Sequence, residues 1–391
     1  MTWQWIVHLA EAGVKVTALI NREDPTAPID PRTAQLPPTI RDEIKPEFIA
    51  VDPPRLSRRL PVVIYTALDY QGWQRRALKA ARAHHSTEPF DLVHHLSWAS
   101  IHHGTQLVKI DAPFVLGPVG GGTTSDPGYS ACFSTSWRYE QIRNRLVKAV
   151  SFNPVSRSLV RNADLILASN PETQSVLASM GAPDVQIMLD DGVDPGELRT
   201  EPVAQSTNGP LRVLWMSRIM ERKALGMALD AVRTAAEHAD IRMTLMGDGE
   251  HRHVVADVIE EMIESGTLID HGWSDQDAID DAFASHDVLL FNSVRDNGSA
   301  PLHSASAHGM PAIVINHQGP GTITSPEWAV QVPATNTAQS TDDIAKALIE
   351  LAGDRDRRVA MGVASLQAGA NNTWPARAQA MVHHYRSLLR N

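Results

Sequence analysis

Cysteine is almost absent from this sequence, since Cys132 is the only one among 391 residues. A single cysteine excludes an internal disulfide and a structural zinc site built on cysteines, which suits a reducing cytosol. Basic residues are outnumbered, 35 against 45 acidic ones, and the net charge is −10. This balance argues against a nucleic-acid partner, which would require a basic face.

Long apolar runs are also missing. No stretch reaches about 18 uninterrupted apolar residues, so the sequence predicts no bilayer-spanning helix. The N-terminal segment lacks a basic leader and is interrupted by His8 and Glu11, so we do not expect a signal peptide. We expect a cytoplasmic protein. Peripheral contact with the inner membrane face stays open, because a surface patch needs no spanning segment.

Short apolar runs do recur, and each is followed by a segment with helix signals. The predicted strands are residues 14–20, 90–96, 112–119, 163–168, 211–216, 241–246, 286–291 and 311–315. Several of these runs are apolar throughout, which is typical of strands covered on both faces. The alternation of strands and helices predicts an α/β fold with parallel sheets.

Capping residues predict several helix ends. The predicted starts are Asn170 before Pro171, Ser274 with Asp277, Ser340 with Asp343, and Pro301; the predicted stops are Gly181 and Gly309. Residues 30–60 are rich in proline and arginine and are interpreted as a long loop.

The domain boundary is predicted at residues 196–210, a polar segment with two prolines and a glycine. Two Rossmann-like domains, 1–195 and 211–371, would then flank a cleft. The chain begins inside a helical pattern ahead of strand 14–20, so the strand that normally opens such a domain is expected to be missing. Either the start codon is misassigned or the domain lacks that strand, which with its turn would need about 15–30 further residues.

Two basic residues, Arg218 and Lys223, follow strand 211–216 in the turn before a helix. A guanidinium and an ammonium at a helix N-terminus suit a diphosphate, although from spacing alone a solvated basic turn is the simpler interpretation. Gly247 and Gly249 after strand 241–246 could admit a ligand or simply form a turn. Asp296 follows strand 286–291, just before a predicted helix start whose free amides suit a phosphate and sugar hydroxyls.

Together these patterns resemble glycosyltransferase family 4, whose enzymes have the two-domain GT-B fold. The family's G-R-x4-K-G is similar to residues 217–224, its G-x-G to Gly247-Asp-Gly249, and its E-x7-E with A-x-G-x-P to Asp296, Ser304 and residues 307–311. Residues 191–194 resemble its N-G-V-D turn. In the first half, residues 91–95 and 113–122 are similar to the D-x-V-H-H and P-F-V-x-G-P-V-G-G-G of one branch, so the resemblance covers nearly the whole chain.

The resemblance implies a role for each matched residue. Arg218 and Lys223 would bind the diphosphate, Asp296 and the amides of Gly298, Ser299 and Ala300 would orient the sugar, Ser304 would lie near the ribose, and Ser217, Gly247 and Gly249 would line the donor site. His94 or His95 would contact the donor sugar, and Gly120, Gly121 and Gly122 would face the acceptor. The final segment 372–391 would cross back onto the first domain, and Trp374 is interpreted as a packing residue.

Three positions depart from the family pattern. Ser304 replaces the glutamate that binds the ribose, and Ser217 and Ala224 replace glycines. Losing the carboxylate would cost about 1.5–3 kcal/mol of donor affinity. The histidine pairs 94–95 and 102–103 could suggest a metal, but neither a carboxylate nor a cysteine joins them at ligand spacing, so a strand end followed by a surface helix is favoured.

The sequence therefore predicts a retaining glycosyltransferase of hexosyltransferase type. It would move a sugar from a nucleotide diphosphate sugar to a glycan or lipid-linked acceptor, in polysaccharide or glycoconjugate synthesis. No cofactor and no metal are expected, because cations and a helix dipole already face the phosphates. A non-catalytic nucleotide-sugar or glycan-binding relative is the main alternative, and a sugar-phosphate isomerase or epimerase of the same fold type is a third.

Overall fold

The computed structural model describes residues 2–21, 47–51, 62–96, 100–102 and 104–390. The helices are α1 Thr2–Glu11, α2 Val62–His85, α3 Trp137–Ala149, α4 Pro154–Arg161, α5 Pro171–Ser179, α6 Leu225–Ala236, α7 Ala256–Glu264, α8 Gln276–Ser285, α9 Ala300–His308, α10 Gln318–Ile323, α11 Thr337–Gly353, α12 Arg355–Asn371 and α13 Trp374–Leu388. The strands are β1 Thr17–Asn21, β2 Glu47–Val51, β3 Val93–His95, β4 Phe114–Val119, β5 Leu165–Ala168, β6 Gln186–Ile187, β7 Leu211–Met216, β8 Ile241–Met246, β9 Leu268–Gly272, β10 Val288–Phe291, β11 Ala312–Asn316 and β12 Ala329–Pro333.

The second half of the chain forms a parallel six-stranded sheet in the order β12-β11-β10-β7-β8-β9. The strand order reverses between β7 and β10, and ligands of doubly wound sheets bind at such a switch point. The loops that leave the carboxyl ends of β7 and β10, residues 217–224 and 292–299, therefore meet. Both strands are buried in the two apolar clusters that pack on the faces of this sheet.

The first half contains a parallel four-stranded sheet, β3-β4-β5-β6, and a separate parallel pair, β1-β2. A cavity lined by residues of β1 and β3 lies between the two sheets. Within the described ranges no other strand pairs with β1 besides β2, or with β3 besides β4. The loop prediction for 30–60 is wrong at Glu47–Val51, because β2 pairs with β1 there; the other residues of that segment lie outside the described ranges.

Strand prediction succeeded best in the buried centre of each sheet. The predicted runs at β7 and β8 match the observed bounds, and the run at β11 matches to within one residue. Strands β6, β9 and β12 were not predicted, since they are short or carry exposed polar positions at sheet edges. The fold class is confirmed: two domains with parallel sheets lie beside a cleft.

Helix starts were predicted correctly where the capping signal was local and unique. Asn170 caps α5 by accepting a hydrogen bond from the Thr173 amide, as predicted. The other two predicted caps are wrong. Asp275, rather than Ser274, accepts from Ala278, because its carboxylate reaches that amide at 3.0 Å. Asn336 caps α11, which places Ser340 in the second turn, where it bonds the Tyr129 hydroxyl at 2.8 Å.

Helix α13 packs on the first domain, although it follows the second domain in the chain. Trp374 is buried and meets the Trp5 ring edge-on, with centroids 5.4 Å apart. Met381 and Val382 join the same apolar cluster as first-domain strand residues. Hydrogen bonds of Val193 with Asn372 and Trp374 connect this crossing to residues 188–210, which join β6 to β7 and are called the interdomain segment below. No helix in the described part of the chain is long and apolar enough to cross a bilayer.

Candidate functional site

A charged cluster lies where the β7 and β10 loops meet. The Lys223 ammonium donates to Oδ2 of Asp296, and Arg222 donates to the same oxygen at 3.2 Å and to the Arg295 carbonyl at 3.0 Å. The Lys223 and Asp296 side chains are only 11% and 10% exposed. Burial lowers the pKa of Lys223, and the Asp296 carboxylate opposes that effect. The cluster thus brings two predicted residues together and adds Arg222, which directly precedes Lys223 but was not predicted from the motif spacing.

Arg218 lies apart from this pair in the described structure. Its side chain is 66% exposed and forms an ion pair with Glu250 at 3.1 Å. Glu250 belongs to the loop after β8, so Arg218 joins two neighbouring loops at the carboxyl edge of the sheet. Because both partners are exposed, the pair adds little to stability and leaves the guanidinium free to exchange partners.

Gly247 and Gly249 allow the β8 loop to pack against the β7 loop. A Cβ at Gly247 would lie 2.0 Å from the carbonyl oxygen of Ser217, and one at Gly249 would lie 2.1 Å from that of Ile219. The Gly247 backbone also has φ +139°, which side-chain-bearing residues rarely adopt. Within the described structure both glycines therefore serve the close approach of backbone to backbone, beside Arg218.

Helix α9 begins directly after the charged cluster. Ser299 is its N-cap residue, Pro301 occupies the first turn, and Gly309 ends the helix at φ +62°. The Ser299 hydroxyl is buried and has no hydrogen-bond partner among the described residues, and no side chain caps this helix start. Pro301 has no amide hydrogen, and the amides of Leu302 and His303 donate to the Ser299 carbonyl at 2.9 and 3.3 Å. The partnerless Ser299 hydroxyl therefore lies at the positive end of the helix dipole, a position that favours an anion.

A cavity of about 350 Å³ borders this helix start. Its lining includes Ala300 and Ser304 of α9, His303, and the carboxylates of Asp191, Asp194 and Glu197 from the interdomain segment. Burial, then the neighbouring Asp194, raises the pKa of Glu197. Burial lowers the pKa of His303 to about 4, so this imidazole is neutral near pH 7. The volume lies within the ordinary range for small-ligand pockets.

Across the cleft, one of the three predicted acceptor-side glycines meets the β10 loop: a Cβ at Gly120 would lie 2.6 Å from the Asn297 side-chain nitrogen. Gly121 and Gly122 contact their own domain instead, where a Cβ at Gly122 would lie 2.5 Å from Thr173. Gly298 faces Asp190 of the interdomain segment, where a Cβ would be 3.1 Å from its carboxylate. Small residues thus let the two domains approach each other closely beside Asp296.

Gln318 bridges the two domains at the same place. Its side chain accepts from the Asp296 amide at 3.0 Å and donates to the Thr124 carbonyl at 2.8 Å. Its own amide donates to Glu172 of α5 at 3.1 Å, and its φ is +50°. No sequence pattern pointed to this residue, because a glutamine with a left-handed backbone has no sequence signature.

The histidine beside the glycine loop is His102, not either of the two predicted ones. Its Nε2 donates to the Gly121 carbonyl at 2.9 Å, and burial lowers its pKa. His94 instead donates to Gly117 and accepts from the Tyr385 hydroxyl, and His95 bonds the Tyr70 hydroxyl at 3.4 Å. Burial lowers the pKa of both to about 4. The contacts of His94 and His95 are thus with the first-domain interior and α13, while His103 lies outside the described residues.

Two buried carboxylates fasten the domains together around the cleft. Glu140 of α3 accepts from Arg295 of the β10 loop at 3.0 Å; burial alone would raise the pKa of Glu140, but this arginine and the other partners of the carboxylate lower it. Glu221 of the β7 loop accepts hydrogen bonds from residues 134–136 of the first domain.

Among the described residues, three carboxylate and imidazole side chains lie at metal-ligand spacing: Glu47, His84 and Glu88. None of them belongs to the cleft, and Lys15 pairs with Glu88.

Comparison with known proteins relates this fold to glycosyl transfer. Residues 210–354 match the family model described as glycosyl transferases group 1. A GDP-mannose-dependent α-(1-6)-phosphatidylinositol monomannoside mannosyltransferase of Mycobacterium tuberculosis is 27% identical over 244 residues, which are 55% of this chain and 60% of that enzyme. The chain therefore spans about three fifths of the length of that curated relative.

Solved structures resemble the whole chain. Sucrose-phosphate synthase from Thermosynechococcus elongatus superposes with a TM-score of 0.67 at 19% identity, over 100% of this chain and 92% of that one. HepE from Anabaena in complex with UDP superposes with a TM-score of 0.61 at 13% identity, over 98% and 96% of the two chains. The protein thus has the two-domain fold of GT-B glycosyltransferases, and its second domain carries the similarity to glycosyl transferases group 1.

Proposed function

We propose that this protein is a retaining glycosyltransferase that transfers a hexose from a nucleotide diphosphate sugar to a hydroxyl of a glycan or lipid-linked acceptor. The proposal rests on one arrangement. Lys223, Arg222 and Asp296 adjoin the uncapped α9 start, where the buried Ser299 hydroxyl lacks a partner in the described structure. The segment that contains these residues is also the one that matches the group 1 family model.

The diphosphate would bind between the β7 loop and α9. In the proposed complex the Lys223 ammonium and the amides of Gly298, Ser299 and Ala300 face its oxygens, and the Ser299 hydroxyl donates to one of them. Arg218 would leave its ion pair with Glu250 and bind the phosphate instead. An exposed ion pair contributes little free energy, so breaking it costs little. When the bond between the anomeric carbon and the phosphate oxygen breaks, charge develops on the leaving diphosphate, and these fixed cations and amides stabilise it.

The sugar and the nucleoside would lie on opposite sides of the diphosphate. Asp296 would turn from Lys223 toward the sugar hydroxyls, with Gln318 holding its backbone amide. The nucleoside would occupy the cavity beside Ser304, where Glu197 and Asp194 can accept hydrogen bonds from ribose hydroxyls. These carboxylates would thereby replace the glutamate that is missing at position 304.

The acceptor hydroxyl would enter from the first domain, along the Gly120–Gly122 loop and His102. In a reaction that retains anomeric configuration by attack on the face where the diphosphate departs, a phosphate oxygen lies nearest the incoming hydroxyl and can take its proton. The new bond joins the acceptor oxygen to the anomeric carbon, and the nucleoside diphosphate leaves. We further propose a cytoplasmic role in cell-surface polysaccharide or glycoconjugate synthesis, with neither a metal nor a nucleic acid as partner.

A donor panel tests this function. UDP-, GDP- and ADP-sugars are titrated into the protein by calorimetry, and release of each nucleoside diphosphate is then measured with and without candidate acceptors. We expect one nucleotide class to bind and to turn over. Arg218→Ala and Lys223→Ala should each lower turnover by about a hundredfold or more. Full activity in both variants would contradict the assignment of Arg218 and Lys223 to the phosphate site.

A non-catalytic nucleotide-sugar-binding relative is the second candidate, favoured by Ser304 in place of the ribose-binding glutamate. The two functions differ in one measurable respect. Tight binding of a nucleotide sugar without hydrolysis or transfer across the acceptor panel would support the binding protein.

A further inference from the structure

Helix α3 exposes an apolar stripe that the proposed reaction does not use. Tyr139, Ile142 and Leu146 are 64%, 53% and 62% exposed, and their spacing places them on one face of the helix. Phe152 follows at 80% exposure and Val155 at 64%. Large apolar side chains are normally exposed singly, so five within this short segment indicate a contact surface.

The same segment is strongly basic, although the whole chain is acidic. Residues 127–163 contain six basic side chains: Arg138, Arg143, Arg145, Lys148, Arg157 and Arg161. Glu140 is their only acidic neighbour in sequence, and it is buried against Arg295. Arg138, Arg145 and Lys148 are exposed beside the apolar stripe. We name the stripe together with these three cations the α3 patch.

The opposite face of α3 borders the candidate site. Glu140 contacts Arg295 of the β10 loop, and Arg143 donates to the Thr123 carbonyl at 2.9 Å, directly after the glycine loop. One helix therefore presents its polar inner face to the cleft and its apolar, basic outer face to solvent. Whatever binds the α3 patch is held close to the proposed acceptor entrance.

We propose that the α3 patch docks the protein on an anionic lipid bilayer. Exposed cations are attracted to negatively charged headgroups, and protruding aromatic and aliphatic side chains enter the boundary with the acyl chains. A nucleic acid would satisfy the cations but would leave Ile142, Leu146 and Phe152 exposed to water. Docking goes beyond the proposed transfer reaction, and it would bring a lipid-linked acceptor to the cleft.

Vesicle co-flotation of the full chain tests this docking without any sugar donor or acceptor, so its outcome is independent of the proposed catalysis. We expect binding to vesicles of phosphatidylcholine with phosphatidylglycerol, and little binding to phosphatidylcholine alone. Binding at about 0.1 M salt should weaken at about 1 M salt, because the Debye length shortens from about 10 Å to about 3 Å.

Two variants and two matched controls locate the contact. Leu146→Glu/Phe152→Glu and Arg145→Ala/Lys148→Ala should each weaken binding to anionic vesicles by about tenfold or more. Ile263→Glu and Arg355→Ala/Arg386→Ala alter similarly exposed residues elsewhere, and both should bind as the unchanged protein does. Thermal unfolding midpoints verify that all four variants fold.

Three outcomes would overturn the proposal. The first is no binding of the unchanged protein to anionic vesicles. The second is binding that the α3 variants leave intact. The third is that the protein does not bind vesicles but self-associates in sedimentation experiments, and that Leu146→Glu/Phe152→Glu abolishes this self-association. The patch would then be an interface between copies of this chain.

Discussion

The ammonium of Lys223 lies against the Asp296 carboxylate and 4.6 Å above the centroid of the Phe291 ring. These contacts hold a buried cation at the carboxyl edge of the second sheet. The ring face attracts the ammonium electrostatically, and the carboxylate compensates its desolvation. A diphosphate that replaced Asp296 as the partner of Lys223 would release that carboxylate toward a sugar.

Removing the ammonium should therefore abolish most of the transfer activity. Lys223→Met keeps the length and apolar stem of the side chain but removes its charge, so we expect the turnover number to fall about a hundredfold or more. Initial rates with the donor identified by calorimetry measure this effect. Lys346→Met, on α11 in the second domain, is the matched control and should retain full turnover. Equal rates for both variants would contradict the assigned role of Lys223.

Glu197 should contribute to nucleotide affinity, because it lines the cavity beside Ser304. Glu197→Gln removes the charge at nearly constant volume and should weaken nucleotide binding about tenfold, the difference expected for one charge-assisted hydrogen bond. Calorimetric titration with the free nucleoside diphosphate measures it. Glu201→Gln alters an exposed carboxylate of the same segment and should bind unchanged. Unaltered affinity in Glu197→Gln would show that the ribose lies elsewhere.

The Glu140–Arg295 pair should stabilise the closed arrangement of the domains. Glu140→Ala would leave Arg295 partly buried without its carboxylate and would also remove the acceptor of Ser125, so we expect a loss of about 3 kcal/mol in the free energy of unfolding. Urea denaturation measures the change. Glu350→Ala breaks an exposed pair with Arg357 and should cost less than about 1 kcal/mol. Similar losses in the two variants would argue against a special role for the interdomain pair.

Stability should fall as the pH is lowered from about 6.5 to 5. His94, His95 and His303 have pKa values of about 4 in the folded protein, against 6.5 for a fully solvated imidazole. In this window the unfolded chain binds protons that the folded protein does not, so acidification favours unfolding by about 1 to 2 kcal/mol per histidine. Chemical denaturation across the pH series measures the slope.

His303→Gln tests one of these contributions separately. Glutamine does not titrate, so the variant should lose stability less steeply between pH 6.5 and 5 than the unchanged protein. His253→Gln, which replaces an exposed histidine of the loop after β8, should leave the slope as it was. A slope that is unchanged in His303→Gln would mean that this imidazole binds protons equally in the folded and the unfolded protein, which would contradict its lowered pKa.

The positions of the chemistry-bearing loops were predictable, because the signals are local. Short, mainly apolar runs marked β7, β8 and β10, and the polar residues after each run fall at the carboxyl ends of those strands. The start of α9 followed from Pro301 and its end from Gly309. Strand periodicity and caps depend on neighbouring residues only, so they can be identified from one sequence.

Which of these residues contact each other was harder to predict from the sequence. Lys223 and Asp296 are separated by 73 positions in sequence, and their contact depends on β10 lying beside β7. Spacing selected Arg218 and passed over Arg222, yet it is Arg222 that reaches Asp296 in this structure. Similarly, His94 and His95 were selected because the family resemblance implies a first-half histidine near the donor sugar, whereas His102 is the histidine that meets the glycine loop.

The sequence by itself determined an α/β protein with parallel strands, two halves, and cationic and glycine-rich turns at strand ends. These features arise from side-chain periodicity and capping over a few residues. Only the tertiary structure decided which cation faces Asp296, that Gln318 joins the domains, and that α3 has one face toward the cleft and one toward solvent. Those relations depend on strand order and on the packing of one domain against the other, which no local pattern encodes.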